Sequence, residues 1–150
     1  MGRVDGLEPA LTTVPGGGRN REMTDDTTLG GEFARAIADK DTRRMLDLLA
    51  ADIDFRAMTP SRTWEAANPE EVVAIIFGHW FEDTDVIDSL EAVQADSFAD
   101  RERAGYRLSV SNPEGRFLVE QQAYISERNG QIAWLRVLCS GYRPAQATGS

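Results

Sequence analysis

One cysteine, one histidine and one lysine are all that 150 residues contain of those three types, and each scarcity closes off a kind of chemistry. A lone thiol, Cys139, cannot form an intramolecular disulfide, so the chain fits a reducing compartment and is expected to be cytoplasmic. One histidine and one cysteine are too few for a transition-metal site, and no metal is expected. No glycine-rich phosphate loop and no serine elbow is present, and no cofactor is expected. Positive charge is also short. The formal net charge of −9 repels phosphate backbones and anionic lipid surfaces, so neither nucleic acid nor a membrane is an expected partner. No apolar run reaches the length that spans a bilayer, and the opening residues lack the charged-then-apolar pattern of a secretory signal. Lys40 stands alone among many arginines, a coding bias that suggests a GC-rich bacterial genome.

What is present suits one domain with a proper core: 41% of the residues are hydrophobic. Residues 1–27 read as a disordered N-terminal extension, since "VPGGGRNRE" is rich in glycine and charge and has no apolar period. Met23 is an alternative start. The ordered pattern runs over 28–143, and 144–150 reads as a flexible tail.

Phe33, Ala36 and Ile37 form a helical stripe from about Leu29 to Ala38. "DKD" ends it, and Asp41 or Thr42 can cap a second helix that buries Met45, Leu46, Leu48 and Leu49. "IDFRAMTP" alternates as a short strand that stops at Pro60. "NPEEVVAIIFGHWF" is the clearest helix start, with Asn68 as N-cap, Pro69 in the first turn and Glu71 completing a capping box. Val72, Val73, Ile76 and Trp80 share its apolar face, His79 lies at that face's edge, and Phe81 points toward a second contact surface. From Val86 onward four antiparallel strands are predicted, at about 86–98, 103–111, 116–127 and 131–140. "SNPEGR" supplies one hairpin loop and Asn129-Gly130 the strongest turn signal of the chain.

Closing the last hairpin at Asn129-Gly130 pairs Ile125 with Trp134, Ala123 with Arg136, Gln121 with Leu138 and Glu120 with Cys139. The preceding loop pairs Val110 with Phe117, Leu108 with Val119, Tyr106 with Gln121 and Arg107 with Glu120. One face is then mostly apolar and should lie under the helices. The other carries Arg107, Ser109, Glu120, Tyr124, Leu135, Val137 and Cys139, a mixture that suits a sheet-to-sheet homodimer. Tyr106, Gln121 and Arg136 interrupt the apolar wall. Buried polar groups need partners or line a cavity, so these three, with Trp64, Trp80, Trp134 and His79, are the candidate pocket residues.

The order helix, "ADKDTRRMLDLLAADIDF", capped helix and four long strands, closing with "NGQIAWLRVLCSGYRP", resembles the nuclear transport factor 2-like superfamily, with its SnoaL-like (polyketide-cyclase-like) and ketosteroid-isomerase-like branches. The similarity spans about 29–143. It implies an α+β fold: a cone-shaped, curved antiparallel sheet with about three N-terminal helices packed on its inner face, a pocket between them, and usually a dimer. Members include isomerases, cyclases, epoxide hydrolases, dehydratases and proteins with no catalysis, so the fold leaves the reaction open. Aligned with the isomerase branch, the oxyanion-hole tyrosine falls at Phe33, the general base at Ala57 and the protonated acid at or beside Gln121. Neither Phe33 nor Ala57 can do that work, which argues against ketosteroid isomerisation. No aspartate pair bridged by arginine, as the epoxide-hydrolase branch needs, is evident on the inner face.

Each candidate has two readings. His79 is a packed helix-face residue or a proton shuttle at the pocket rim. The tryptophans are core or an aromatic cage for a flat ligand. Arg136 snorkels to the cone mouth or meets a ligand's anionic or carbonyl group. Cys139 falls on the outer face as a buried or interface residue, across the sheet from His79. The expected function is a small-molecule pocket protein of the SnoaL-like type, acting on an apolar, ring-containing metabolite by cofactor-free isomerisation, cyclisation or dehydration. His79 would be catalytic, with Tyr106, Gln121 and Arg136 holding substrate oxygens. The alternative is a non-catalytic ligand-binding or dimeric interaction module.

Overall fold

The computed structural model describes residues 28–145. The expected N-terminal extension, Met23 and residues 146–150 lie outside the described residues. Three helical segments precede most of the sheet: α1 (Leu29–Ala38), α2 (Thr42–Leu48) and α3 (Pro69–Ile75). The strands are β1 (Leu49–Thr59), β2 (Arg62–Ala66), β3 (Val86–Phe98), β4 (Arg101–Asn112), β5 (Gly115–Arg128), β6 (Gln131–Cys139) and β7 (Arg143–Pro144).

Local chemistry sets the helix ends. Asp41 Oδ1 accepts from the Arg44 N–H at 3.1 Å, and Asn68 Oδ1 accepts from the Glu71 N–H at 2.9 Å. Glu71 answers by accepting from the Ala67 N–H, one residue before the expected partner, so the box closes one residue wider. Beyond Ile75 the chain widens into a π-helical turn, Ile76–Trp80, closed by the Phe81 N–H on the Ile76 carbonyl at 2.8 Å. Such turns re-aim the side chains that follow them. Trp80 and Phe81 both turn inward, and His79 turns to solvent.

The sheet order is β2-β1-β6-β5-β4-β3, with β7 paired to β5. All neighbours are antiparallel except β1 and β6, which run parallel. The sheet is therefore mostly antiparallel, as expected, with one parallel neighbour pair that the expectation did not include. The β1–β2 hairpin, which carries Trp64, was not predicted as a strand pair. The chain stays on the sheet through Ala145, whose N–H bonds the Arg116 carbonyl at 2.9 Å.

Helices and sheet meet over one core. Phe33, Ile37, Met45, Val72 and Ile76 pack against Ile53, Phe55, Leu108, Val119, Ile125 and Ile132. The β4–β5 register is the expected one, with Tyr106 opposite Gln121 and Arg107 opposite Glu120. The β5–β6 register agrees only near the turn. Asn129 and Gly130 take positive φ, 56° and 80°, and Glu127 faces Ile132 as the turn requires. Then Ala133 is left unpaired and Ser126 faces Trp134. This β-bulge shifts every later pair by one and exchanges the two faces of β6. Leu135 and Val137 become core, and Trp134, Arg136 and Leu138 turn outward.

Candidate functional site

On the inner face, Tyr106 of β4 and Gln121 of β5 are both buried, at 2% and 1% exposure. The Tyr106 hydroxyl donates to Gln121 Oε1 at 2.7 Å. Phe33 of α1 meets the Tyr106 ring edge-on at 6.4 Å between centroids. Burial pushes the Tyr106 phenol well above its ordinary pKa, and the nearby Cys139 charge adds to the shift, so the hydroxyl stays protonated and keeps donating. The amide is thereby oriented with its oxygen consumed. Its other end, Gln121 Nε2, is buried with no hydrogen-bond partner among the described residues, and so is Trp80 Nε1. Buried donors left unpaired are costly, which sets both apart from the satisfied polar groups around them.

Trp80 leads outward along an aromatic path. Its ring lies 6.2 Å from Phe55 and meets Trp64 edge-on at 6.3 Å. Trp64, half-buried, lies 5.1 Å from His79 on one side, and Arg62 covers it at 3.6 Å. The Trp64 indole N–H donates to Thr59 Oγ1 at 3.0 Å. His79 is exposed, and among the described residues it has no hydrogen-bond or ion-pair partner to orient its ring. The π-turn is tied down from below by Tyr142, whose hydroxyl donates to the Trp80 carbonyl at 2.8 Å. Next to it, buried Asp85 accepts from the Glu82 N–H and from Asn112 Nδ2, each at 2.9 Å. Lys40 Nζ donates to the carbonyls of Glu82 and Asp85.

Two expected pocket residues do not join this group. Trp134 and Arg136 face the opposite side of the sheet, because the Ala133 bulge slides their strand by one position. Arg136 Nη1 donates to the Asp54 carbonyl at 3.0 Å and to Asp54 Oδ1 at 3.2 Å. Its guanidinium also lies 4.3 Å from the Trp134 ring, which Arg101 covers at 3.8 Å. The same-face carboxylate was invisible to the hairpin pairing because β1 reaches β6 by a parallel connection. The outer face also holds a groove of about 420 Å³ lined by Arg56, Met58, Tyr124, Arg136 and Leu138 among others.

The same slide brings Cys139 inward, opposite Gln121 and packed against the core, on the helix side of the sheet rather than across from it. Sequence reasoning missed this. The available signal was that Ile132, Leu135 and Val137 make a continuous apolar set only if one residue is skipped after Ile132. Asp54 and Asp96 are exposed and paired with Arg136 and Arg103, so neither builds an acidic pair on the inner wall. Among the described residues, no group of three His, Cys, Asp or Glu side chains is placed to hold a metal ion. No described helix is long and apolar enough to cross a membrane.

No protein-family model matches the sequence, and no curated protein matches it. Solved structures do. An NTF-2 like protein of unknown function from Burkholderia xenovorans LB400 superposes with a TM-score of 0.57 at 16% identity, over 86% of this chain and 91% of that one. A hypothetical protein with a ketosteroid isomerase-like fold from Catenulispora acidiphila DSM 44928, in complex with trimethylamine, gives 0.57 at 14% identity, over 76% and 86%. An LEH-like epoxide hydrolase from M. tuberculosis gives 0.59 at 8% identity, over 78% and 84%. The likeness is one of fold. The chain has the nuclear transport factor 2-like fold, α+β, with a curved, mostly antiparallel sheet under three helices.

Proposed function

We propose that the protein binds a small, mostly apolar, ring-containing molecule between its helices and the inner face of the sheet. The observation that carries this is a pair of buried donors. Tyr106 uses its hydrogen on Gln121 Oε1, and the N–H groups of Gln121 Nε2 and Trp80 Nε1 are buried without acceptors among the described residues. A ligand oxygen that only accepts, such as a ketone, supplies what they lack. The rings of Phe33, Phe55, Trp80 and Trp64 supply apolar walls. Trp134 and Arg136 have no part in this site. Any proton transfer on the bound molecule falls to His79 at the rim, in a cofactor-free isomerisation, cyclisation or dehydration.

The test is binding of cyclohexanone and larger cyclic ketones to the full chain, followed by titration calorimetry or intrinsic tryptophan fluorescence. Saturable binding that weakens about tenfold in Gln121→Leu supports the reading, since an unpaired donor–acceptor contact in a dry site is worth about one such factor. No binding of any cyclic ketone, and no co-purified molecule by native mass spectrometry, overturns it. A chemical step is tested by His79→Ala: unchanged turnover of a substrate found this way removes His79 from the mechanism.

A homodimer through the outer sheet face belongs to the same proposal. Met58, Val86, Phe98 and Leu138 are each more than half exposed, and Met58 and Leu138 are cross-strand neighbours there. Leu138→Asp tests it, because Leu138 rather than Val137 faces outward. A wild-type monomer at micromolar concentration in sizing experiments refutes it.

A further inference from the structure

The bulge that turns Arg136 outward gives the inner wall a thiol, and the proposed function makes no use of it. Tyr106, Gln121 and Cys139 form one row across β4, β5 and β6: Gln121 is the cross-strand partner of both others. Facing pairs of this kind hold their Cβ atoms about 5 Å apart. Tyr106 holds Gln121 Oε1 from the β4 side, and Cys139 faces the same residue from β6. Nε2 is buried, on a residue 1% exposed, and has no hydrogen-bond partner among the described residues. Cys139 packs against the core yet is only half-buried, and its sulfur accepts the Gly141 N–H at 3.4 Å. A thiol sealed in a core is inert and one on the surface is unselective. This one is partly open and faces across the ladder a glutamine whose amide oxygen is already held.

We propose that Cys139 and Gln121 form a capture site for α,β-unsaturated carbonyl compounds, within the ligand space of the proposed function and resting on that reading. The Cys139 sulfur bonds to the β carbon of the enone. The π pair of the C=C bond moves toward the carbonyl oxygen, and the negative charge that develops there is held by the Gln121 Nε2–H. The proton given up by the thiol is returned at the α carbon. One S–H and one C=C π bond are consumed, one C–S and one C–H bond are formed, and no oxidant, reductant or cofactor is required. Gln121 thus acts where an oxyanion-hole donor acts, on charge that exists only once the bond is forming.

The experiment uses the full chain and two reagents, read by intact-mass spectrometry over time. 2-Cyclohexen-1-one needs its carbonyl oxygen held, and 2,2′-dithiodipyridine reacts with the same thiol but has no carbonyl. Wild-type protein is expected to gain one enone adduct, and Cys139→Ser none. Gln121→Met, which keeps the side-chain length, is expected to slow enone addition about tenfold or more while leaving the disulfide exchange within a factor of two to three. Gln121→Leu, checked for folding by circular dichroism, serves as the second variant. Equal slowing of both reagents, or an unchanged enone rate in both variants, overturns the role of Gln121 and with it the proposal. A thiol that exchanges with dithiodipyridine but takes no enone overturns it too, as does one that reacts with neither. Cyclohexanone binding to wild type separates the two ideas: if it persists while the enone fails, only the capture site falls.

Discussion

The Tyr106 hydroxyl donates to Gln121 Oε1 at 2.7 Å across β4 and β5, and this contact decides which end of a buried carboxamide is left over. Tyr106→Phe should therefore cost about 1–3 kcal/mol, because it strands the Gln121 oxygen in the core. Gln121→Leu should cost a similar amount by stranding the hydroxyl. The double variant should lose clearly less than the sum, since both polar partners are then gone. Urea unfolding of the four proteins measures this. Strict additivity would mean that the pair is not coupled as described.

Ala133 is the extra residue of β6, and its removal would restore a regular hairpin from Asn129-Gly130. That hairpin would keep Ser126 opposite Trp134 and Ile125 opposite Leu135, so β6 would still show Leu135 and Val137 to the core. The deletion should therefore still fold cooperatively, at a cost of about 1–3 kcal/mol from the altered local twist, against less than about 1 kcal/mol for Ala133→Ser. A deletion variant that melts without cooperativity would show that the bulge itself, and not the pairing that follows it, holds β6 in place.

Gly30 allows α1 to press on β4. A Cβ built there would lie 2.4 Å from the Ala104 Cβ, and Glu102 already accepts the Gly30 N–H at 2.9 Å. Gly30→Ala should destabilise by about 1–3 kcal/mol through overpacking. Adding Ala104→Gly should recover part of that loss. Failure of the second change to recover anything would place the cost elsewhere than at this contact.

Alkaline pH should weaken the fold through two phenols. Tyr106 is raised by burial first and by the Cys139 charge second. Tyr142 is raised by burial and then by Asp85. In the unfolded chain both ionise near the usual value of about 10. Their folded values are higher, so their contribution is fully present below pH 10 and is lost as pH rises through the folded values. The chemical denaturation midpoint should fall steadily above pH 10. The tyrosinate absorbance of Tyr106 and Tyr142 should appear only together with unfolding. Full phenolate absorbance in a still-folded protein at pH 11 would contradict this.

Much of the fold was legible where short-range chemistry decides it. Asn68, Pro69 and Glu71 set the start of α3, because a cap acts within one turn. Asn129 and Gly130 close the last hairpin, because few residue pairs tolerate positive φ twice. The β4–β5 register followed from an uninterrupted alternation, so Tyr106 and Gln121 were correctly placed together. The candidate site was legible only in part. Trp80 lies buried and Trp64 beside it, but His79 was predicted on a regular wheel, and the π-turn moved it outward. Trp134 and Arg136 were misplaced by a single unpaired residue, and Cys139 was misplaced with them.

The order of the helices and the four long strands, the helix caps, the tight turn and the Tyr106–Gln121 pairing were readable from the residues alone, since each depends on residues within one turn or one regular ladder. The β2 and β7 strands, the bulge at Ala133, the parallel docking of β1 on β6 and the π-turn at Ile76–Trp80 emerged only in the folded chain. The last three features depend on how a twisted sheet meets its helices. A one-residue change in a period of two reverses what a strand shows to each side, and nothing in the local pattern requires that change until the core has to be filled.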